Sequence, residues 1–327
     1  GMDSGTLTAL ASYQLPSIKT FTCGFDLSSA SGLELTFDER TKAEAMSALF
    51  KTEHYEVVLK AGDMERCFDQ LSYHLEEPRV GQSYPNFYAS KLASRFVKVV
   101  LSGAGGDELF GGYPWRYYSP LDGSSFEENT YEYYKYWNRL LSDDEKAEVF
   151  KPIKDVYKNH DTLEIFKSIM NRHGNKIKDK EEFVNHCLYF ESKTFLHGLL
   201  VVEDKLSMAH SLETRVPFLD NDLVDFAMKC PIEFKLKNLR NYNKEDRFKK
   251  TNDGKQILRK VMSKYIPNDI TEGIKQGFSA PDASWFKGDS IDYVQDRLVN
   301  NNAKIYDYLD SKSINKLLNQ HMSGEQN

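Results

Sequence analysis

The sequence predicts an α/β fold: a parallel sheet over roughly the first hundred residues, followed by a mostly helical half. Three observations predict it. Short β-branched or aromatic runs alternate with helical patterns through residues 1–101, and that spacing implies parallel strands joined by crossover helices. Glycine-bearing turns open helices at Gly1–Gly5 and Ser102–Gly106. Residues 125–200 are rich in Tyr, Phe, Lys and Glu, with helical periodicity and no clear strand.

Each element follows in order. Residues 3–13 (DSGTLTALASY) suit a helix capped by Asp3 or Ser4. Residues 18–25 (IKTFTCGF) suit a strand, and 38–50 a helix with Ala43, Met46 and Phe50 on one face. His54–Leu59 is a second strand, followed by helical patterns at about 62–75 and 86–96. Val97–Leu101 is a short, β-branched, buried third strand. After Pro120 the character changes, placing a boundary near 115–125 and dividing the chain into 1–120 and 121–327. Short helices are expected at 221–229 and 255–264, a polar mobile loop at 236–253, and solvated helices over the last forty residues.

Bulk properties narrow the function. With 327 residues and 40% hydrophobic content, the chain suits one large domain or two tightly joined ones. Net charge is −6, and the strongest basic stretch is only Arg247 with Lys249-Lys250, so a nucleic-acid partner is disfavoured. No apolar run approaches the roughly 18–20 residues that span a bilayer, so no membrane role is expected. No signal peptide is expected ahead of the polar DSGT stretch. The cysteines Cys23, Cys67, Cys187 and Cys230 are scattered without a CxxC pair; a reducing cytoplasm is expected, with Cys23 and Cys187 as core residues.

Four segments carry candidate chemistry. In Gly1-Met2-Asp3-Ser4-Gly5, a small turn feeds a helix N-terminus, where unpaired N–H groups and the helix dipole favour an anion; an ordinary helix cap reads as well. In LSGAGGDELFGGY (Leu101–Tyr113), glycines let the backbone approach a ligand and Asp107 is placed to hold a hard cation on phosphates; Asp107 is otherwise a capping residue. DKLSMAHSLETRVPFLD (Asp204–Asp220) mixes charge with an apolar seam. It reads equally as a buried scaffold with a Glu213–Arg215 pair, His210 being a packing or hydrogen-bonding residue. Lys275, between Gly273 and Gly277, suits a phosphate clamp or a solvated loop lysine.

In this order and spacing, the four segments resemble the synthetase domain of asparagine synthetases, which belong to the ATP pyrophosphatases. Gly1 to Ser4 match the tail of that family's SGGxDSS phosphate loop, with Gly5 where serine is usual. Ser102–Tyr113 match SGxGxDELFGGY, Asp204–Asp220 match its ETRVPFLD-containing motif, and Lys275–Phe278 match KQGF. Asp38-Glu39 and Glu77-Pro78 are fainter echoes. The resemblance runs from residue 1 to about Pro281.

What the resemblance implies is specific. The fold would be a Rossmann-like parallel sheet of the adenine-nucleotide α-hydrolase type, its first strand missing, with residues 1–120 as the nucleotide-binding part and 121–327 as the helical part of one synthetase domain. ATP would lie against the strand near Cys23 and Gly24. Asp3 and Asp107 would ligate Mg²⁺, while Ser4, Ser102, Gly103 and Lys275 would hold phosphates. Lys275 would also stabilise the leaving pyrophosphate, and Asp204 would stand in or beside the acceptor pocket. A carboxylate, aspartate in the namesake enzymes, would be adenylated and then amidated by ammonia. Three departures qualify this. The phosphate loop lacks its leading Ser-Gly and the strand before it, which predicts weak ATP binding and little turnover. Ala104 stands where biosynthetic members carry glutamate, which raises the odds of another carboxylate substrate or of ring closure within one substrate. No N-terminal glutaminase domain is expected ahead of these segments, so ammonia would come from a separate domain, a partner or solution. An inactive interaction domain is the non-enzyme alternative, and the open sheet edge suits a homodimer.

Overall fold

The first helix, α1 (Met2–Gln14), begins one residue earlier than expected. Gly1 is its N-cap and no side chain caps it. The Ser4 hydroxyl donates back to the Gly1 carbonyl at 3.2 Å, and Asp3 lies in the first turn. In the computed structural model, which describes residues 1–327 apart from 29, 79–82, 242–248, 289, 299–302, 326 and 327, small residues let α1 lie close to α2 (Arg40–Phe50). A Cβ on buried Gly5 would stand 3.2 Å from Met46 Cε. Ala9 and Met46 then share an apolar cluster with Met262, Ile266 and Ile270.

Strands β1 (Lys19–Phe25) and β2 (Glu53–Leu59) form where expected. They pair in parallel, from Lys19 opposite Glu53 to Phe25 opposite Leu59. Helix α3 (Asp63–Leu75) buries Cys67, Leu71 and Leu75, one stripe at i, i+4 and i+8. It is followed by α4 (Ser83–Ala93).

The third strand differs from expectation. β3 is only Val99–Leu101, and it pairs in parallel with β4 (Glu213–Arg215) in a second two-stranded sheet. Val99 is 39% and Leu101 51% exposed, so the run is not the buried strand its β-branched residues suggested. β4 was unforeseen because Glu-Thr-Arg carries no apolar alternation. Its Arg215 Nε meets Glu213 Oε1 at 2.8 Å, but on the surface rather than in a buried scaffold.

After β3 come α5 (Gly106–Phe110), α6 (Lys180–Lys193), α7 (Phe195–Met208), α8 (Asn221–Lys229) and α9 (Gln256–Met262). Leu109 and Phe110 of α5 pack with Phe218 and with Ala227 of α8, and Leu7 of α1 joins them. Cys23, Cys67, Cys187 and Cys230 are all buried. His210 packs its ring against Phe87, centroids 4.4 Å apart. Of the polar segment 236–253, residues 242–248, and with them Arg247, lie outside the described residues.

Two compact units result. One joins Gly1–Tyr118 to Ile177–Pro281, and the other joins Ser119–Lys176 to Asp282–Asn327. The stretch 177–281, grouped by sequence with the helical half, packs with the N-terminal residues. The second unit is helical: Phe126–Trp137, Asp143–Val149, Thr162–Met170 and Ser311–Ser323 start at Ser125, Ser142, Asp161 and Asp310, each accepting a backbone N–H. Tyr133 packs edge-on against Phe166, and the Asp310 N–H donates to the Val149 carbonyl at 2.7 Å. Ser311–Ser323 buries no residue, as a solvated helix should.

Candidate functional site

Everything that follows lies in the first unit. The turn after β3 reaches α1 because two glycines leave room. A Cβ on Gly103 would lie 2.8 Å from Asp3 Cβ and 2.9 Å from the Ser4 nitrogen, and one on Gly106 would lie 2.7 Å from Asp3 Oδ1. Gly105, with φ +95°, supplies the left-handed residue that starts α5. Asp107 therefore enters the first turn of α5 facing Asp3, and α5 has no side-chain cap. The capping alternative for Asp107 is thereby removed.

Two lysines close the cluster. Lys275 Nζ lies 2.9 Å from Asp107 Oδ2, so this loop lysine is not merely solvated. Lys255, which the sequence did not single out, lies 2.5 Å from Asp3 Oδ2 and 2.6 Å from Asp107 Oδ1. Its side chain is 4% exposed. Lys255 precedes α9 in a left-handed conformation, φ 60°, and its N–H donates to the Phe110 carbonyl at 3.0 Å. A cation at a helix N-terminus opposes the helix dipole, and that mismatch was the one available signal for it.

The electrostatics follow from this packing. Burial pushes the Asp107 carboxyl up, but Lys255 and Lys275 outweigh it and hold the group well below the usual carboxylate range. For Asp3 burial dominates, Lys255 opposes it and the Asp107 charge reinforces it, so its carboxyl is raised. Burial would lower Lys275, yet Asp107 and Asp3 raise it. Behind the cluster, burial and the Asp107 charge bring Glu108 up to about 7. The Tyr113 hydroxyl donates to Glu108 Oε1 at 3.0 Å. Arg116 stacks over Tyr113, 3.8 Å from its centroid, and lies 3.5 Å from Glu191.

The remaining predicted residues are less convergent. The Ser102 hydroxyl accepts the Ala104 N–H at 3.3 Å and faces Glu203 of α7, whose carboxyl burial raises. The Ser4 hydroxyl is turned to the Gly1 carbonyl. Cys23 is buried on β1, its thiol pushed up to about 12 by burial. Its neighbour Gly24 is covered by Arg40, which a Cβ there would meet at 2.3 Å. Asp204 is exposed on α7, and no described contact links Cys23 or Asp204 to the carboxylate–lysine cluster.

The donor set can be tested against a metal. Two carboxylates from separate segments converge, and Asp3 Oδ1 is buried without a hydrogen-bond partner. No group of three or more His, Cys, Asp or Glu gathers among the described residues. Mg²⁺ is commonly held by one or two carboxylates, with phosphates and water completing its shell, so these residues fit it. No helix among the described residues is long and apolar enough to cross a membrane.

Comparison with known proteins bears on the whole chain. The family model described as asparagine synthase matches residues 1–327. Asparagine synthetase (glutamine-hydrolysing) 1 of Bacillus subtilis is 28% identical over 335 residues, covering 95% of this chain and 50% of that protein. A putative asparagine synthetase (glutamine-hydrolysing) of Mycobacterium tuberculosis is 26% identical over 359 residues, covering 99% and 50%. Asparagine synthetase (glutamine-hydrolysing) 3 of Bacillus subtilis is 26% identical, covering 97% and 50%. The chain thus spans about half the length of the curated relatives it matches.

Proposed function

The chain belongs to the asparagine synthase family, and from that premise we propose that it activates a carboxylate with ATP and passes the acyl group to ammonia, forming an amide. The observation that carries this reading is the cluster of Asp3, Lys255, Asp107 and Lys275, set against the glycine turn at Gly103. It offers two anionic ligands for a hard cation and two ammonium groups for phosphates at one buried point. The parallel strand pairs β1–β2 and β3–β4 support a Rossmann-like sheet of the adenine-nucleotide α-hydrolase type.

In this reading Asp3 and Asp107 hold Mg²⁺, which when bound supplies charge neutralisation on the phosphates. Lys255 and Lys275 take the triphosphate oxygens, with Gly103 allowing close backbone approach and Ser4 and Ser102 at its edge. The substrate carboxylate attacks the α-phosphorus and pyrophosphate leaves. Lys275 offsets the charge developing on that leaving group, in a site dry enough for the interaction to count. Ammonia then attacks the acyl carbon and AMP leaves. We assign the Cys23 strand to the adenine side and Asp204 to the acceptor side. That its relatives are glutamine-hydrolysing supports glutamine as the ammonia source, through a glutaminase domain or a partner. A cytoplasmic setting agrees with four scattered, buried cysteines and no CxxC pair.

Product analysis tests this. With Mg-ATP, aspartate and ammonium, AMP and pyrophosphate should appear slowly but in equal amounts, and only when aspartate is present. Ala104, a methyl group where a proton acceptor is usual in the resemblance, favours a second reading with another carboxylate substrate. AMP formation with a different carboxylate and none with aspartate would select it. ADP as the nucleotide product would sink both.

A further inference from the structure

Resting on the reading just given, we propose that Lys255 and Lys275 act as stand-in cations that keep the two aspartates closed to free divalent metal, so that the metal is admitted only together with nucleotide. The argument is one of charge and occupancy. Lys255 Nζ lies 2.5 Å from Asp3 Oδ2 and 2.6 Å from Asp107 Oδ1, and Lys275 Nζ lies 2.9 Å from Asp107 Oδ2. Three of the four carboxylate oxygens are therefore engaged by ammonium groups. The fourth, Asp3 Oδ1, and Asp107 Oδ1 despite its ion pair, are buried without a hydrogen-bond donor.

Two carboxylates against two ammonium groups leave the cluster neutral. A divalent ion entering it must either displace the Lys255 ammonium group, whose side chain is 4% exposed, from both its partners or sit beside like charge. Both are costly where water is scarce. A polyphosphate changes the balance. Its oxygens give both ammonium groups new partners, which releases carboxylate oxygens for the metal. Metal and nucleotide must then tighten one another's binding by the same factor. The closed arrangement is also locally enforced. Lys255 is held in a left-handed backbone conformation by its N–H bond to the Phe110 carbonyl, and a Cβ on Gly112 would collide with both Asp107 and the Lys255 stem.

The experiment uses Mn²⁺ as the probe, read by the water-proton relaxation it produces when protein-bound, with and without a non-hydrolysable ATP analogue. The unchanged protein should bind Mn²⁺ alone at least about tenfold more weakly than in the presence of the analogue. K255M should bind Mn²⁺ alone at least about tenfold more tightly than the unchanged protein, and D107N added to K255M should abolish that gain. K275M, which removes the more exposed ammonium group, repeats the test should K255M fail to fold. Equal Mn²⁺ affinity with and without analogue in the unchanged protein would overturn this proposal while leaving the amide-forming reading intact. So would lysine variants that gain no affinity. No Mn²⁺ binding even with the analogue would overturn the site assignment itself, and this proposal with it.

Discussion

Lys255 shows how much one residue can hold and how little of that its sequence neighbourhood reveals. It sits among Gly254, Gln256 and Ile257 without a motif. Only the fold brings it to Asp3, 252 positions away. A non-glycine residue with φ near 60° costs about 1–3 kcal/mol where it persists, so its partners must over-determine it. By contrast Asp107 and Lys275 were legible, because glycines mark the places where backbone must approach closely. Replacing Lys255 by methionine leaves two buried carboxylates sharing one ammonium group, and K255M should lose about 3–5 kcal/mol of stability. D3N removes one of those carboxylates. The double variant K255M/D3N should therefore be less destabilised than the sum of the two single changes, with a coupling of about 1–3 kcal/mol from urea midpoints. Additive losses would mean that the 2.5 Å contact between Lys255 and Asp3 contributes no pairwise stability.

At the scale of elements, the helices and the first strand pair were legible because each had a period. α3 repeats its buried residues at four-residue steps, and β1 and β2 are seven-residue runs with β-branched or aromatic side chains. β4 was not, since a three-residue strand of Glu, Thr and Arg is defined by its backbone bonds to β3 alone. The start of α1 was misjudged for a related reason. Asp3 and Ser4 look like caps, yet glycine at the cap leaves Asp3 free to face the turn after β3. That meeting of turn and helix depends on Gly103. G103A would press a methyl group to within 2.8 Å of Asp3 Cβ and 2.9 Å of a backbone nitrogen, neither of which can swing away. The expected loss is about 1–3 kcal/mol, together with a fall in AMP formation. G277A provides the contrast, because the nearest atom to its new Cβ is Ser279 Oγ at 3.7 Å. Its stability should stay within about 0.5 kcal/mol. Equal losses in the two variants would place the sensitivity in glycine backbone freedom rather than in this contact.

Most buried charges among the described residues face an opposite charge or a carbonyl, but Lys235 does not, and it makes stability depend on pH. Arg259 donates to the carbonyls of Gly254, Thr271 and Gly273, Lys255 and Lys275 face aspartates, and Glu191 faces Arg116. Lys235 is 3% exposed, and no carboxylate pairs with it among the described residues. Burial lowers its value from the ordinary 10.5 to about 8. The unfolded chain therefore keeps this proton up to about 10.5, while the folded chain releases it near 8. Between those values the unfolded state binds more protons, so stability rises with pH. Below about 8 the full penalty is present, roughly 3 kcal/mol from the size of that gap. K235M removes the charge with little change in side-chain length. Measured by urea unfolding of the first unit's transition, K235M should be more stable than the unchanged protein by up to about 3 kcal/mol at pH 7. The advantage should shrink steadily from pH 8 and vanish near pH 10.5. A difference that stays constant from pH 7 to 10.5 would assign the effect to packing around Leu236 and Gly111 and would leave Lys235 with no electrostatic cost.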